Sequence, residues 1–177
     1  MKKILETERL VLREMTDDDF ADLKKIICDP INMKYYPFVG DDAYVTKWVN
    51  WCKDSYQKYG FGLWALIYKK TGEMIGDTGV SMQFIDGEWK PEIGYHIRRD
   101  YHNQGIASEA AQAVKDYFFN NFDYDEVYSY MSKDNIASYR VAEKNGMTFL
   151  HTYVDKNGME CRVYHITRSE WQKSKNK

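Results

Sequence analysis

The residues with the most chemical promise lie between Ile97 and Phe118, IRRDYHNQGIASEAAQAVKDYF. This stretch begins as the end of a strand, crosses a polar turn with one glycine, and becomes a helix rich in alanine. The first N–H groups of a helix lack partners within it, and the helix N-terminus carries partial positive charge. Together they make a site for a phosphate or pyrophosphate. Gly105 lets a ligand approach the backbone closely, Ala107 keeps the start of the helix small, and Arg98 and Arg99 add full charges just upstream. A single-glycine turn also fits an ordinary strand-to-helix connection, so spacing alone leaves both readings open.

Elements must position that turn. Glu8–Glu14 reads as a first strand from its apolar Leu10 and Leu12. Thr16 and three aspartates open a helix carrying Phe20, Leu23, Ile26 and Ile27, which Asp29-Pro30 ends. An aromatic loop, MKYYPFVG, follows. Asp41 and Asp42 open a second helix with the stripe Val45, Trp48, Val49, Cys52, Tyr56 and Tyr59, stopped at Gly60. Strands are expected over 61–68, 73–84 and 89–98, with turns at 69–72 and Asp86-Gly87. Gly76 and Gly79 inside the second of these suggest a bulge or close backbone approach. Pro91 requires an edge or an irregularity, because it has no N–H to donate.

The central helix spans about 104–121. A strand over 127–132, a short helix carrying Ala137, Val141 and Ala142, a stop at Asn145-Gly146 and two strands at 148–154 and 160–167 complete the order. Antiparallel hairpins with one β-α-β crossover describe an α+β fold: a mixed, mostly antiparallel sheet of six to seven strands, with helices on its faces. One domain over 1–177 is expected, with a lysine-rich tail fraying after about 171.

At 177 residues the chain is long enough to bury a full core. Apolar residues are 44% and charged residues 29%, which excludes a disordered chain. A net charge of −2 argues against a broad nucleic-acid surface. Cys28, Cys52 and Cys161 are odd in number and widely spaced, which suggests neither a disulfide framework nor a zinc site. Free thiols, no signal-peptide run and no membrane-length apolar segment point to a cytoplasmic protein that is not in a membrane.

Three segments carry a resemblance. Glu92-Ile93-Gly94-Tyr95-His96-Ile97, then Tyr101-His102-Asn103-Gln104-Gly105-Ile106-Ala107-Ser108-Glu109-Ala110, then Asn135 to Met147, NIASYRVAEKNGM, resemble the GNAT N-acetyltransferases. Thr7-Glu8-Arg9-Leu10-Val11-Leu12-Arg13 resembles the start of the branch that acetylates ribosomal-protein N-termini and many small amines, the RimJ and RimL type. The resemblance spans nearly the whole chain. It implies acetyl-coenzyme A as donor, no metal, and a sheet splayed open between the strands at 89–98 and 127–132. The pantetheine arm would pair like an added strand with backbone near Ile97, Arg98 and Arg99. The pyrophosphate would sit on N–H groups from Asn103 through Gln104, Gly105, Ile106 and Ala107 to Ser108. His102 occupies a position that is Gln or Arg in the broad family, so its side chain carries little inference.

The implied chemistry is attack of an uncharged amine on a thioester, with a polarised carbonyl and a proton for the leaving thiolate. Backbone N–H groups around Tyr95 to Ile97 are candidates for the oxyanion. Glu92 is the candidate general base, acting through water, or else a surface glutamate at a strand end. His96 is a proton relay or a structural histidine. Asn135 is a pantetheine contact, a helix cap, or both. Ser138 approaches the coenzyme sulfur or merely caps its helix. Many family members place a thiolate-protonating tyrosine where this chain has Ala142, so the proton donor stays open. Tyr35, Tyr36, Phe38 and Trp64 are expected to wall the acceptor site, although the same rings suit a core or a dimer contact. The leading reading is an N-acetyltransferase for a primary amine, either a small molecule or a protein N-terminus, working as monomer or homodimer. A non-catalytic coenzyme A sensor on the same fold is the rival, and a nucleotide-binding α/β protein is a distant third for want of a GK[ST] or GxGxxG pattern.

Overall fold

Among the described residues, eight strands and five α-helices follow one another. First come β1 (Lys3–Glu6), β2 (Leu10–Arg13), α1 (Phe20–Ile27), α2 (Asp42–Tyr59), β3 (Leu63–Tyr68), β4 (Met74–Ile85) and β5 (Glu88–Ile97). Then come α3 (Ile106–Asn121), β6 (Glu126–Ser132), α4 (Ile136–Lys144), β7 (Thr148–Val154), β8 (Glu160–Thr167) and α5 (Arg168–Lys175). The structure, a computed structural model, describes residues 2–176, so the expected outer bounds Met1 and Lys177 lie outside the described residues.

Side chains alternate between the faces of a strand, and β3 shows what covers each face. Trp64 and Leu66 pack with Ile106, Ala110, Val114 and Phe118 of α3. Leu63 and Ala65 pack with Leu23, Ile27, Val45 and Val49 of α1 and α2. The sheet is therefore sandwiched between helices, as its nearly continuous apolar strands demand. This alternation corrects one expectation. Trp64 does not wall an acceptor site: it is 1% exposed, and its ring meets Tyr117 of α3.

The strands form one sheet in the order β1-β2-β3-β4-β5-β6-β8-β7. Every neighbouring pair is antiparallel except β5 and β6. Those two are parallel and pair in register only at Glu92 and Tyr128. Past that point their C-terminal halves separate, and the sheet is splayed. Pro91, which has no N–H, immediately precedes the single pairing point and faces Met82 across β4. The glycines of β4 serve close approach: a Cβ on Gly79 would fall 2.0 Å from the Gly62 carbonyl oxygen.

Both chain ends differ from expectation. The first strand, expected over Glu8–Glu14, is β2 at Leu10–Arg13, and the short edge strand β1 precedes it, so the described residues form eight strands rather than six or seven. A lysine and a glutamate among its four residues make β1 look like polar lead-in, which suits an exposed edge. The tail expected to fray after Trp171 is the second half of α5. Thr167 and Glu170 form a capping box at its start. Trp171 stacks on Phe119 at 5.2 Å and donates its Nε1–H to Asp116 at 2.7 Å, and Lys175 bonds the same carboxylate.

Candidate active site

The polar turn before α3 is built on two residues with positive φ, Asn103 at 60° and Gly105 at 76°. Gly105 adopts this conformation without steric cost and caps the helix. The first N–H to bond back along α3 is that of Glu109, to the Gly105 carbonyl. The N–H groups of Ile106, Ala107 and Ser108 consequently have no helical partner. They face a cavity of about 560 Å3 lined by His102, Asn103, Gly105, Ala107 and Ser108 on one side and by the start of α4 on the other.

The connection between β1 and β2 clamps this turn. Arg9 donates Nη1–H to the Gln104 carbonyl at 2.8 Å and Nε–H to Glu109 Oε2 at 2.6 Å. Thr7 Oγ1 and the Arg9 backbone N–H bond the other oxygen of Glu109. Burial pushes the Glu109 carboxyl up, but these bonds outweigh it and hold the group below its ordinary range. His102 donates Nε2–H to the Ile97 carbonyl at 2.7 Å, closing the link between β5 and the turn.

Within the splay, Ile93 accepts a bond from Ser129 Oγ, and Ile97 turns its carbonyl towards His102 and Asn32. By the two-residue alternation of a strand, Tyr95 directs its backbone N–H into the same opening. The Tyr95 hydroxyl crosses the gap to α4. It donates to the Ser138 carbonyl at 2.8 Å and lies 3.0 Å from Ser138 Oγ. Burial holds this phenol well above its ordinary range, so it keeps its proton at neutral pH. Asn135 caps α4 by accepting the Ser138 N–H at 3.2 Å.

A second cavity, of about 490 Å3, lies against α2. Tyr36, Phe38, Tyr44, Trp48, Trp51 and Trp89 give it aromatic walls, and Tyr35 also borders it. Glu92 and His96 line it from β5, with Gly94 between them leaving the wall open. Glu92 is 7% exposed. Burial pushes its carboxyl up to about 8, despite bonds from the Tyr130 backbone and Ser81 that pull the other way. The two cavities share Tyr35, Tyr36, Tyr95, His96, Asn135 and Ser138, so they meet at the gap between β5 and α4.

Most of the sequence-expected residues converge on these two cavities; besides Trp64, three do not. Arg98 pairs with Asp100 at 2.8 Å and Arg99 with Asp29 at 3.4 Å, along a different groove near α1. Gln104 bonds the Asp100 carbonyl through its side chain. The sequence named Tyr95 only for its backbone N–H; its hydroxyl and Asp77 were missed. A tyrosine in an apolar strand reads as core, and only the contact with Ser138 reveals the reach of Tyr95. Asp77 carried a usable signal, being a lone carboxylate inside the apolar run of β4. Among the described residues no cluster of His, Cys, Asp and Glu forms a metal site.

Comparison with known proteins places this geometry. Residues 9–148 match the family described as Acetyltransferase (GNAT) domain. The chain is 39% identical over 152 residues to protein YkkB of Bacillus subtilis strain 168, covering 85% of this chain and 88% of that one. An acetyltransferase structure of the GNAT family from Bacillus anthracis is 27% identical with a TM-score of 0.79, covering 94% of this chain and 99% of the other. The structure of RimL, a ribosomal L7/L12 alpha-N-protein acetyltransferase in complex with coenzyme A, is 19% identical and shares the fold with a TM-score of 0.74, covering 94% and 98%.

Proposed function

We propose that this chain, which belongs to the GNAT acetyltransferase family and takes its acetyl group from acetyl-coenzyme A, delivers that group to a primary amine on an apolar or aromatic body. The observation that carries this reading is the meeting of two cavities at Tyr95, His96 and Ser138, one bordered by unpaired helix N–H groups and the other by aromatic rings. The N–H groups of Ile106, Ala107 and Ser108 hold the coenzyme pyrophosphate, with Asn103 and Gly105 shaping the turn. Asn135 and the free backbone groups of β5 align the pantetheine arm. The Tyr95 N–H polarises the thioester carbonyl. Glu92 draws a proton from the amine through water, and the Tyr95 hydroxyl, beside Ser138, returns one to the thiolate. This supplies the proton donor that Ala142 cannot. Three unpaired cysteines are consistent with a reducing cytoplasm.

The acceptor class follows from the lining. The many aromatic rings favour an apolar or aromatic body, and an ammonium is attracted to their faces. Thiol release from acetyl-coenzyme A is measured with arylalkylamines, polyamines, amino sugars and peptides bearing free N-termini. Turnover highest with amines on an apolar body is expected. Coenzyme binding without amine-dependent thiol release in any class would overturn the enzymatic reading. Turnover confined to peptides would overturn the acceptor class.

A further inference from the structure

Asp77 is a fully buried carboxylate in the middle of β4, and both its oxygens are engaged. Oδ2 accepts the Trp48 indole N–H at 2.7 Å, and Oδ1 lies 2.7 Å from His96 Nδ1. Since a carboxylate only accepts, His96 Nδ1 carries the proton. Its Nε2 is buried and bonds to nothing in the protein. The imidazole side chain is 10% exposed and lines both cavities where they meet. A buried ring nitrogen without a partner is costly unless something else satisfies it. Here the neighbouring space is that of the reacting groups.

The structure assigns a base to this position: we infer that His96, oriented by Asp77, accepts a proton from the acceptor amine on Nε2. The inference rests on the amine acetyltransferase reading above and adds a catalytic dyad to it. The proton count needs more than Glu92. An amine arriving as R–NH3+ gives up one proton before attack and a second once its C–N bond forms. The C–S bond then breaks, the sulfur takes one proton, and one leaves to solvent. Glu92, held near 8, is ionised in only a minority of molecules at neutral pH and takes at most one of these protons. His96 provides the first acceptor, the Glu92 carboxylate the second, and the Tyr95 hydroxyl supplies the sulfur. Asp77 is the positioning residue: it fixes the tautomer and balances the imidazolium charge, the arrangement used by orienting carboxylates in other acid–base sites.

The groups facing His96 are Asp77 from β4, Glu92 from its own strand, the Tyr36 ring at 5.1 Å from the segment after α1, and the Trp48 ring at 5.3 Å from α2. Lys47 lines the same cavity. Burial pushes the imidazole down, but Asp77 outweighs it and holds the group above its ordinary value.

The test uses steady-state kinetics and imidazole NMR on the full chain, with the best amine from the panel. His96→Gln is expected to lower kcat about 100-fold with the KM for acetyl-coenzyme A changed no more than about twofold. Asp77→Asn is expected to move the ascending limb of the pH–kcat profile to lower pH by about one unit, along with a loss in kcat. A structural role for Asp77 would lower thermal stability and leave that limb in place. Should either variant fail to fold, nitrogen-15 shifts of the imidazoles in the unaltered protein decide: protonated Nδ1 and a titrating Nε2 on His96 support the dyad. An Nε2–H tautomer across the pH range, or unchanged kcat in His96→Gln, would overturn it. An unaltered enzyme inactive on every amine would instead remove the acetyltransferase reading beneath it.

Discussion

In the proposed reaction, Glu92 is placed where the needs of catalysis and of stability diverge. Burial lifts its carboxyl from an ordinary 4.5 to about 8. Between those values the folded chain holds a proton that the unfolded chain has already lost. Stability therefore falls as pH rises through this window and levels off above about 8. Glu92→Gln removes that penalty, because an amide never ionises. Compared with the natural chain, the variant is expected to gain roughly 2–4 kcal/mol of unfolding free energy between pH 5 and pH 9. Its turnover should fall about 100-fold while its coenzyme affinity holds. Denaturant titrations at the two pH values and a kcat measurement check both halves. A stability difference independent of pH would mean that the buried carboxyl is not strained. Equal loss of turnover and affinity would remove it from the proton path.

At the scale of elements, the turn before α3 depends on the connection between β1 and β2, 95 to 102 residues away. Arg9 holds the Gln104 carbonyl and Glu109 together, fixing the last residue before the N–H groups that the phosphates would use. Arg9→Ala is expected to weaken coenzyme A binding about 5- to 15-fold, through loss of charged hydrogen bonds that shape the turn. Calorimetric titration with coenzyme A measures this, and an unchanged dissociation constant would show that the turn holds its shape alone. The same contrast explains what the sequence disclosed. The Gly105 turn, the helix stop at Gly60 and the cap at Asn135 depend on local backbone needs, and these are written in neighbouring residues. Trp64 was misplaced because the face a strand residue occupies depends on which helix covers it. The Asp77–His96 pair joins two strands across a hairpin, and the Arg9–Glu109 pair joins the β1–β2 connection to a distant helix. Neither contact leaves a periodic trace, so Arg9 was seen only as part of a resemblance. β1 was missed because an exposed edge strand of four residues lacks the alternation that marks a buried one.

At the scale of the whole molecule, the splay of β5 from β6 puts two cavities in contact through a shared wall, with room for both substrates at once. Direct attack then needs no acetylated protein. The thiols agree with this. Neither cavity is lined by a cysteine among the described residues. Cys52 and Cys161 are buried, and burial raises all three thiols, Cys161 to about 11, so none is a ready thiolate nucleophile. Initial rates with acetyl-coenzyme A and amine varied together should therefore give intersecting double-reciprocal lines, the pattern of a ternary complex. Incubation with acetyl-coenzyme A alone should leave the mass of the chain unchanged. Parallel lines together with a stable acetyl adduct would require a covalent relay, which the separation of the thiols from both cavities gives no means to build.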